Sequence, residues 1–114
     1  MLGAAVLLAA LVATCVPHVA TRYGVQFNGQ GMYCPPYAPY LSTDETIIAV
    51  SETSLYSCGN RLVVVGSFGY IVGTVQDRCG GCGQQHIDLS EAGLWKICGD
   101  QADRCEVKVF GPLE

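Results

Sequence analysis

Six cysteines constrain this chain more than any other feature: Cys34, Cys58, Cys79, Cys82, Cys98 and Cys105. An even set in a short secreted chain reads as a three-bridge framework, with fifteen possible connectivities. The staples suit the length, because 114 residues make one small domain whose core alone supplies little stability. Secretion is predicted from the N-terminus. Residues 2–12 are almost unbroken Ala, Leu and Val, and the first charged side chain is Arg22. Such a run has the length of a signal-peptide core and is too short to span a bilayer, which takes roughly 20 apolar residues. Small residues around His18, Val19 and Ala20 offer a cleavage point. The expected organisation is a leader over 1–20 and one domain over 21–114. A seventh cysteine, Cys15, leaves with that leader. Thr14 is a poor residue before a lipidated cysteine, so no anchor is expected there.

Every charge lies at or beyond Arg22, so the net charge of −4 belongs to the domain. An acidic chain without a basic patch argues against nucleic acid or an anionic membrane as partner. The elements are short. Residues 46–50, 62–65, 70–75 and 106–110 are β-branched runs, and the last alternates cleanly. Gly66 to Gly69 reads as a hairpin turn between two of them. Residues 21–27 make a weaker strand candidate. One helix is predicted over residues 89–98, capped by Asp88 or Ser90, with Glu91 placed for a capping box after Asp88 and Gly99 as its stop. Leu94, Ile97 and Cys98 share one face of it. A further helical turn is expected over 52–55. Cys98 and Cys105 bracket a polar connection, where a local pairing is expected; the other four cysteines stay open. Five or six strands with one helix before the last predict a closed, mainly β barrel.

Several motifs occur in order along this frame: Thr21, Tyr23 and Gly24; Ala49 to Ser51; Cys58-Gly59; and Val75-Gln-Asp-Arg-Cys79, with Cys82 and then Ile87-Asp-Leu-Ser90. The set resembles the double-psi β-barrel superfamily, which holds expansin-like and loosenin-like proteins, rare-lipoprotein-A-like domains, barwin-type proteins and a family of endoglucanases. The resemblance covers nearly all of residues 21–110 and implies a six-stranded double-psi barrel with an open groove across one face. It implies a groove role for Asp88, whose His86-Ile-Asp segment is similar to an expansin signature and matches the endoglucanase general acid. Where the endoglucanase base would follow Thr21-Arg22-Tyr23, this chain has Gly24 and Val25. Asp77 matches the aspartate of the lytic transglycosylases, but Ser51 stands where their histidine would align. Each enzyme pattern is half present.

The residues themselves allow several chemistries. Inverting glycoside hydrolysis needs a carboxylic acid and, across the substrate, a carboxylate that activates water. Asp77 and Asp88 come from one edge of the site, and the opposite wall offers only Asp44, Glu45 or Glu52. Asp88 also has a structural reading as a helix cap, and Asp77 as a partner of Arg78 or of loop N–H groups. Cys79-Gly-Gly-Cys82 invites a redox reading. The helix starts too late after it for a thioredoxin-like motif, and a structural bridge is expected. A zinc set from Cys79, Cys82 and His86 is weighed and set aside, so no metal or organic cofactor is expected. Tyr33, Tyr37, Tyr40 and Trp95 are the candidates for stacking on sugar rings, with Arg78 and His86 as polar contacts. Core packing is the competing role for Trp95.

The expected function is a secreted, monomeric, non-hydrolytic expansin-like domain that binds a cell-wall polysaccharide (cellulose, chitin or peptidoglycan) around Asp77 and Asp88. The chain shows no second domain of the expansin kind, so modest affinity is expected. Two alternatives stay open. One is a barwin-like inhibitor of cysteine proteases that inserts its Pro-Pro-Tyr loop; the other is a weak glycosidase or lytic transglycosylase.

Overall fold

The computed structural model describes residues 15–114, so the apolar run over residues 2–12 lies outside the described residues. Six strands close into one barrel: β1 (Cys15–Arg22), β2 (Ile47–Ser51), β3 (Arg61–Gly66), β4 (Gly69–Cys79), β5 (His86–Leu89) and β6 (Arg104–Leu113). Their order around the barrel is β1-β5-β2-β4-β3-β6, and β6 returns to β1. Two neighbouring pairs, β1 with β5 and β2 with β4, run parallel; the other neighbours are antiparallel. Helix α1 (Glu91–Cys98) precedes the last strand. The β3–β4 hairpin turns through Ser67 and Phe68, with Gly66 opposite Gly69.

Alternation along each strand separates inside from outside. Ala20, Ile48, Val50, Leu62, Val64, Ile71, Val75, Ile87, Leu89, Val107 and Val109 fill the interior with Leu94 and Ile97 of α1. Full burial of such a side chain contributes about 1.5–3 kcal/mol. A second cluster lies on the outer face of β2, where Tyr23, Met32 and Tyr40 cover Ile47 and Ala49. It is supplied by the long β1–β2 connection. That connection folds back on itself through bonds from Gly29 N–H to Tyr40 O and from Tyr40 N–H to Gln30 O, both 2.8 Å.

Three disulfides join Cys34 to Cys58, Cys79 to Cys82, and Cys98 to Cys105. The first ties the long connection to the loop before β3. It closes a 24-residue separation, for which chain entropy gives about 3–4 kcal/mol.

Several sequence expectations change. Residues 21–27 are not a strand: β1 ends at Arg22, and a 3₁₀ turn spans Val25–Phe27. Residues 52–55 form no helix, because the Ser51 hydroxyl accepts from the Thr53 N–H and fixes a tight turn. His86–Leu89, expected to run from loop into helix start, is a fully paired strand. The cap of α1 is Ser90, whose side chain accepts from Gly93 N–H at 3.0 Å. Asp88 therefore does not cap the helix.

β1 starts at Cys15 and uses residues 15–20, which the expected leader includes, to pair with β6 along its length. His18, assigned to that leader, sits buried in the barrel wall. It packs 6.2 Å from Tyr56, and Nδ1 lies 3.1 Å from Val16 O. Burial pulls its imidazole below the ordinary range, partly offset by the Val16 carbonyl, so the neutral ring donates Nδ1–H to that carbonyl.

Candidate functional site: a carboxylate row on the outer face

Register places one outward residue from each of five adjacent strands in a single row. Asp77 of β4 lies opposite Ala49 of β2, and Ala49 opposite Asp88 of β5. Asp88 lies opposite Thr21 of β1, which lies opposite Arg104 of β6. The two aspartates are thus about 10 Å apart at Cα, two strand spacings.

Asp77 reaches this row only through a β-bulge. Ile71 and Val75 point inward, and strict alternation would send Asp77 inward with them. The β2–β4 register slips by one residue after Ile48, from Ile48 opposite Val75 to Ala49 opposite Asp77. Gln76 is the extra residue, and its carbonyl accepts from Cys34 N–H at 3.0 Å. The bulge re-aims the next side chain, a common device beside sites. Arg78 then points to the other face, where its guanidinium donates to Ser51 O at 3.1 Å.

The aspartates differ in environment. Asp77 accepts three hydrogen bonds: Tyr23 O–H at 2.7 Å, and the N–H groups of Tyr33 and Arg78 at 2.9 Å each. It is a held acceptor. Asp88 accepts one, from the Thr21 hydroxyl at 3.2 Å. Burial pushes its carboxyl up to about 6; the Thr21 bond works against that shift, and the charge of Asp77 adds to it. Thr21 Oγ1 also meets His86 Nε2 at 2.7 Å. Since the hydroxyl donates to Asp88, it accepts from His86, which makes a relay from His86 through Thr21 to Asp88. The Tyr23 ring, clustered with Ala49, covers the floor between the aspartates. Burial raises its phenol far above the ordinary range, and the hydrogen bond to Asp77 and the charges of Asp77 and Asp88 reinforce this.

The remaining sequence candidates scatter. Tyr33 and Tyr37 are 64% and 63% exposed at the tip of the long connection beside Asp77. Tyr40 is a correction: it is 1% exposed and stacks on Tyr23 with ring centroids 4.4 Å apart, so no sugar reaches it. Its hydroxyl is buried beside the Glu91 backbone; burial pushes that phenol up to about 12, and the Glu91 N–H works against the shift. Trp95 belongs to a separate cluster, with Arg22 5.7 Å over its ring and its indole N–H donating to Ala102 O at 3.0 Å.

The carboxylates considered for an opposite wall are elsewhere. Asp44 accepts from the N–H and hydroxyl of Thr46, and Glu45 pairs with Lys96 at 2.9 Å. Glu52 lies against Gly80. Ser51 is buried and meets Thr53. Sequence reading missed Thr21 and Tyr23 as site residues. Both belong to the Thr21-Arg22-Tyr23 segment, and their phase on β1, outward at 21 and folded back at 23, is the signal that strand assignment hides. A depression of about 370 Å³ lined by Val19, Thr21, Gly83, Gln85, His86 and Arg104 extends the row at its Thr21 end.

The barrel and its neighbours among solved structures make the chain a double-psi β-barrel protein. The expansin of Clavibacter michiganensis superposes with a TM-score of 0.67 at 27% identity, over 83% of this chain and 48% of the expansin. A mutant of it in complex with cellohexaose gives 0.66 at 24% identity over the same shares. The chain thus spans about half the length of these expansins. A Streptomyces papain inhibitor matches at 0.66 and 19% identity, over 84% of this chain and 92% of the inhibitor. Cerato-platanin 5 of M. perniciosa gives 0.58 at 10%, covering 83% and 87%. No protein-family model matches the chain, and no curated protein matches its sequence.

Proposed function

We propose that the chain is an extracellular, expansin-like protein that binds a cell-wall polysaccharide along the outward row without hydrolysing it. The observation that carries this reading is the pairing of Asp77, a held acceptor, with Asp88, a carboxyl poised to donate or accept near neutral pH, on one open face. Glycan hydroxyls are both donors and acceptors, so such a pair grips them in either sense. Tyr33 and Tyr37 stand at one end of the row to stack on sugar rings. Hydrolysis also needs a carboxylate that activates water, and Asp77 is the only other acid of the row. Its oxygens already accept three donors from the protein, which leaves few lone pairs to hold an attacking water. The match to an expansin in complex with cellohexaose supports the same ligand class. We expect any leader to end before Cys15, because residues 15–20 pair with β6 and β5.

The test is a pull-down of the oxidised chain on cellulose, chitin and peptidoglycan, with soluble sugars assayed in the same tubes. Binding to one polymer without released sugar is expected, and Asp88→Ala should weaken it about 10- to 100-fold, the worth of one hydrogen bond to a charged group. Unchanged binding by Asp88→Ala sinks the groove assignment, and released sugar makes the protein an enzyme.

A second reading has its own observation. The tip Pro35-Pro36-Tyr37 is exposed, and Tyr37 takes a left-handed φ of 63° that a non-glycine residue holds only when its surroundings impose it. A rigid protruding tip suits insertion into a protease cleft, and the similarity to a papain inhibitor supports it. Stoichiometric inhibition on titration against papain, with no polymer binding, would select this reading.

A further inference from the structure

The carboxylate row ends at Arg104, and the depression at that end has the opposite character. Val19 and His86, register partners one outward position further along β1 and β5, line it with Thr21, Gly83, Gln85 and Arg104. It therefore opens sideways, about 7 Å off the row along the strands. Its lining holds a guanidinium, an imidazole, an amide and a hydroxyl, and no carboxylate. Arg104 is exposed and, among the described residues, has no ion-pair partner. Its neighbour Asp103 is held by Arg22, whose Nε and Nη2 donate to it at 3.2 and 3.1 Å. Glu106, the next outward residue of β6, lines a different depression. His86 spends Nε2 on the Thr21 hydroxyl at 2.7 Å, which leaves Nδ1 for a ligand.

We propose that this depression is a subsite for an anionic branch, a carboxylate-bearing side group on an otherwise neutral glycan chain. This subsite presupposes the polysaccharide reading of the row and specifies the polymer. Asp88 and Asp77 lie about 10 and 20 Å from Arg104 at Cα, by two and four strand spacings. A polymer with a carboxylate on every sugar would set like charges against both, so the backbone is neutral. Arg104 offers a planar fork that takes a carboxylate bidentately. A stiff glycan does not turn off the row within two strand spacings, so the group that enters the depression hangs from the chain near Thr21. The volume of about 370 Å³ suits one small group. Two wall chemistries present a carboxylate in this way: a uronic acid branch on a neutral backbone, and the peptide stem of peptidoglycan.

Depletion of the oxidised chain by insoluble glucuronoxylan and by peptidoglycan tests this. Each polymer is used native and after carboxyl reduction, which converts its acids to alcohols. In one of the two arms the native polymer is expected to bind about five- to tenfold tighter than its reduced form, and that arm names the source of the carboxylate. Arg104→Ala should abolish the preference. Lys108→Ala, which removes an exposed cation of the same strand outside this depression, should keep it, and so separates a site from general charge attraction. Equal binding of native and reduced polymer in both arms overturns the subsite. So does a preference that survives Arg104→Ala or is lost in Lys108→Ala. If the reduced polymers bind and Asp88→Ala weakens them, the row stands and only the subsite falls; no binding to any form takes both.

Discussion

Asp88→Asn is expected to stabilise the barrel at neutral pH while weakening the proposed glycan binding by no more than Asp88→Ala does. The folded-state carboxyl titrates near 6, against an ordinary value of 3.8. A group raised in this way binds its proton more tightly in the folded chain. Its favourable contribution is complete below about pH 4 and is lost as pH rises through 6. Above that, the folded protein carries a charge it has partly desolvated. The shift corresponds to about 3 kcal/mol, and the side chain's residual contact with water cuts this to on the order of 1–2 kcal/mol. Asparagine still accepts from Thr21 and never ionises. The variant's melting temperature should exceed that of the parent by about 5–10 °C at pH 7.5, and the gap should close at pH 4. A gap that does not change with pH would mean that Asp88 titrates normally and is not desolvated.

The second large effect concerns where the domain begins. A chain starting at residue 15 is expected to fold as the parent does, and one starting at residue 21 to fail. Without residues 15–20, β6 loses its β1 partner along most of its length and keeps only β3, β5 loses half of its register with β1, and Ala20 leaves the core. The unpaired backbone groups and the opened core together exceed the 5–15 kcal/mol that holds a typical domain. Far-ultraviolet circular dichroism and proteolysis of the two chains decide the matter. A folded 21–114 chain would show that β1 is dispensable below Thr21. Mass spectrometry of the protein purified from its source then gives the natural boundary, expected before Cys15.

Periodicity and turn chemistry made the barrel legible: β2, β3, β4, β6, the Ser67–Phe68 hairpin and α1 all follow from them. β1 was hidden because its residues continue an apolar run whose character suits a leader equally well. His86–Leu89 was hidden by length, since four residues ahead of a helix read as its approach. Asp77 and Asp88 stood out by type and spacing, yet their alignment across Ala49 did not, because it depends on a register that no local window contains. Tyr40 was misplaced for a similar reason. A tyrosine in a proline-rich segment reads as exposed until the segment folds back and buries it against Tyr23.

The unpaired Gln76 has a consequence for how such a site arises. Each strand residue has a parity, inward or outward, that counts along the chain, and the bulge takes one residue out of that count. Deleting Gln76 would place Asp77 directly after inward-facing Val75, so plain alternation would keep it outward and opposite Ala49. What the deletion removes is the Gln76 carbonyl that receives Cys34 N–H and pins the long connection beside the aspartate. In a barrel of this kind, the residue that stands outside the ladder is the one free to anchor the loop that completes the site.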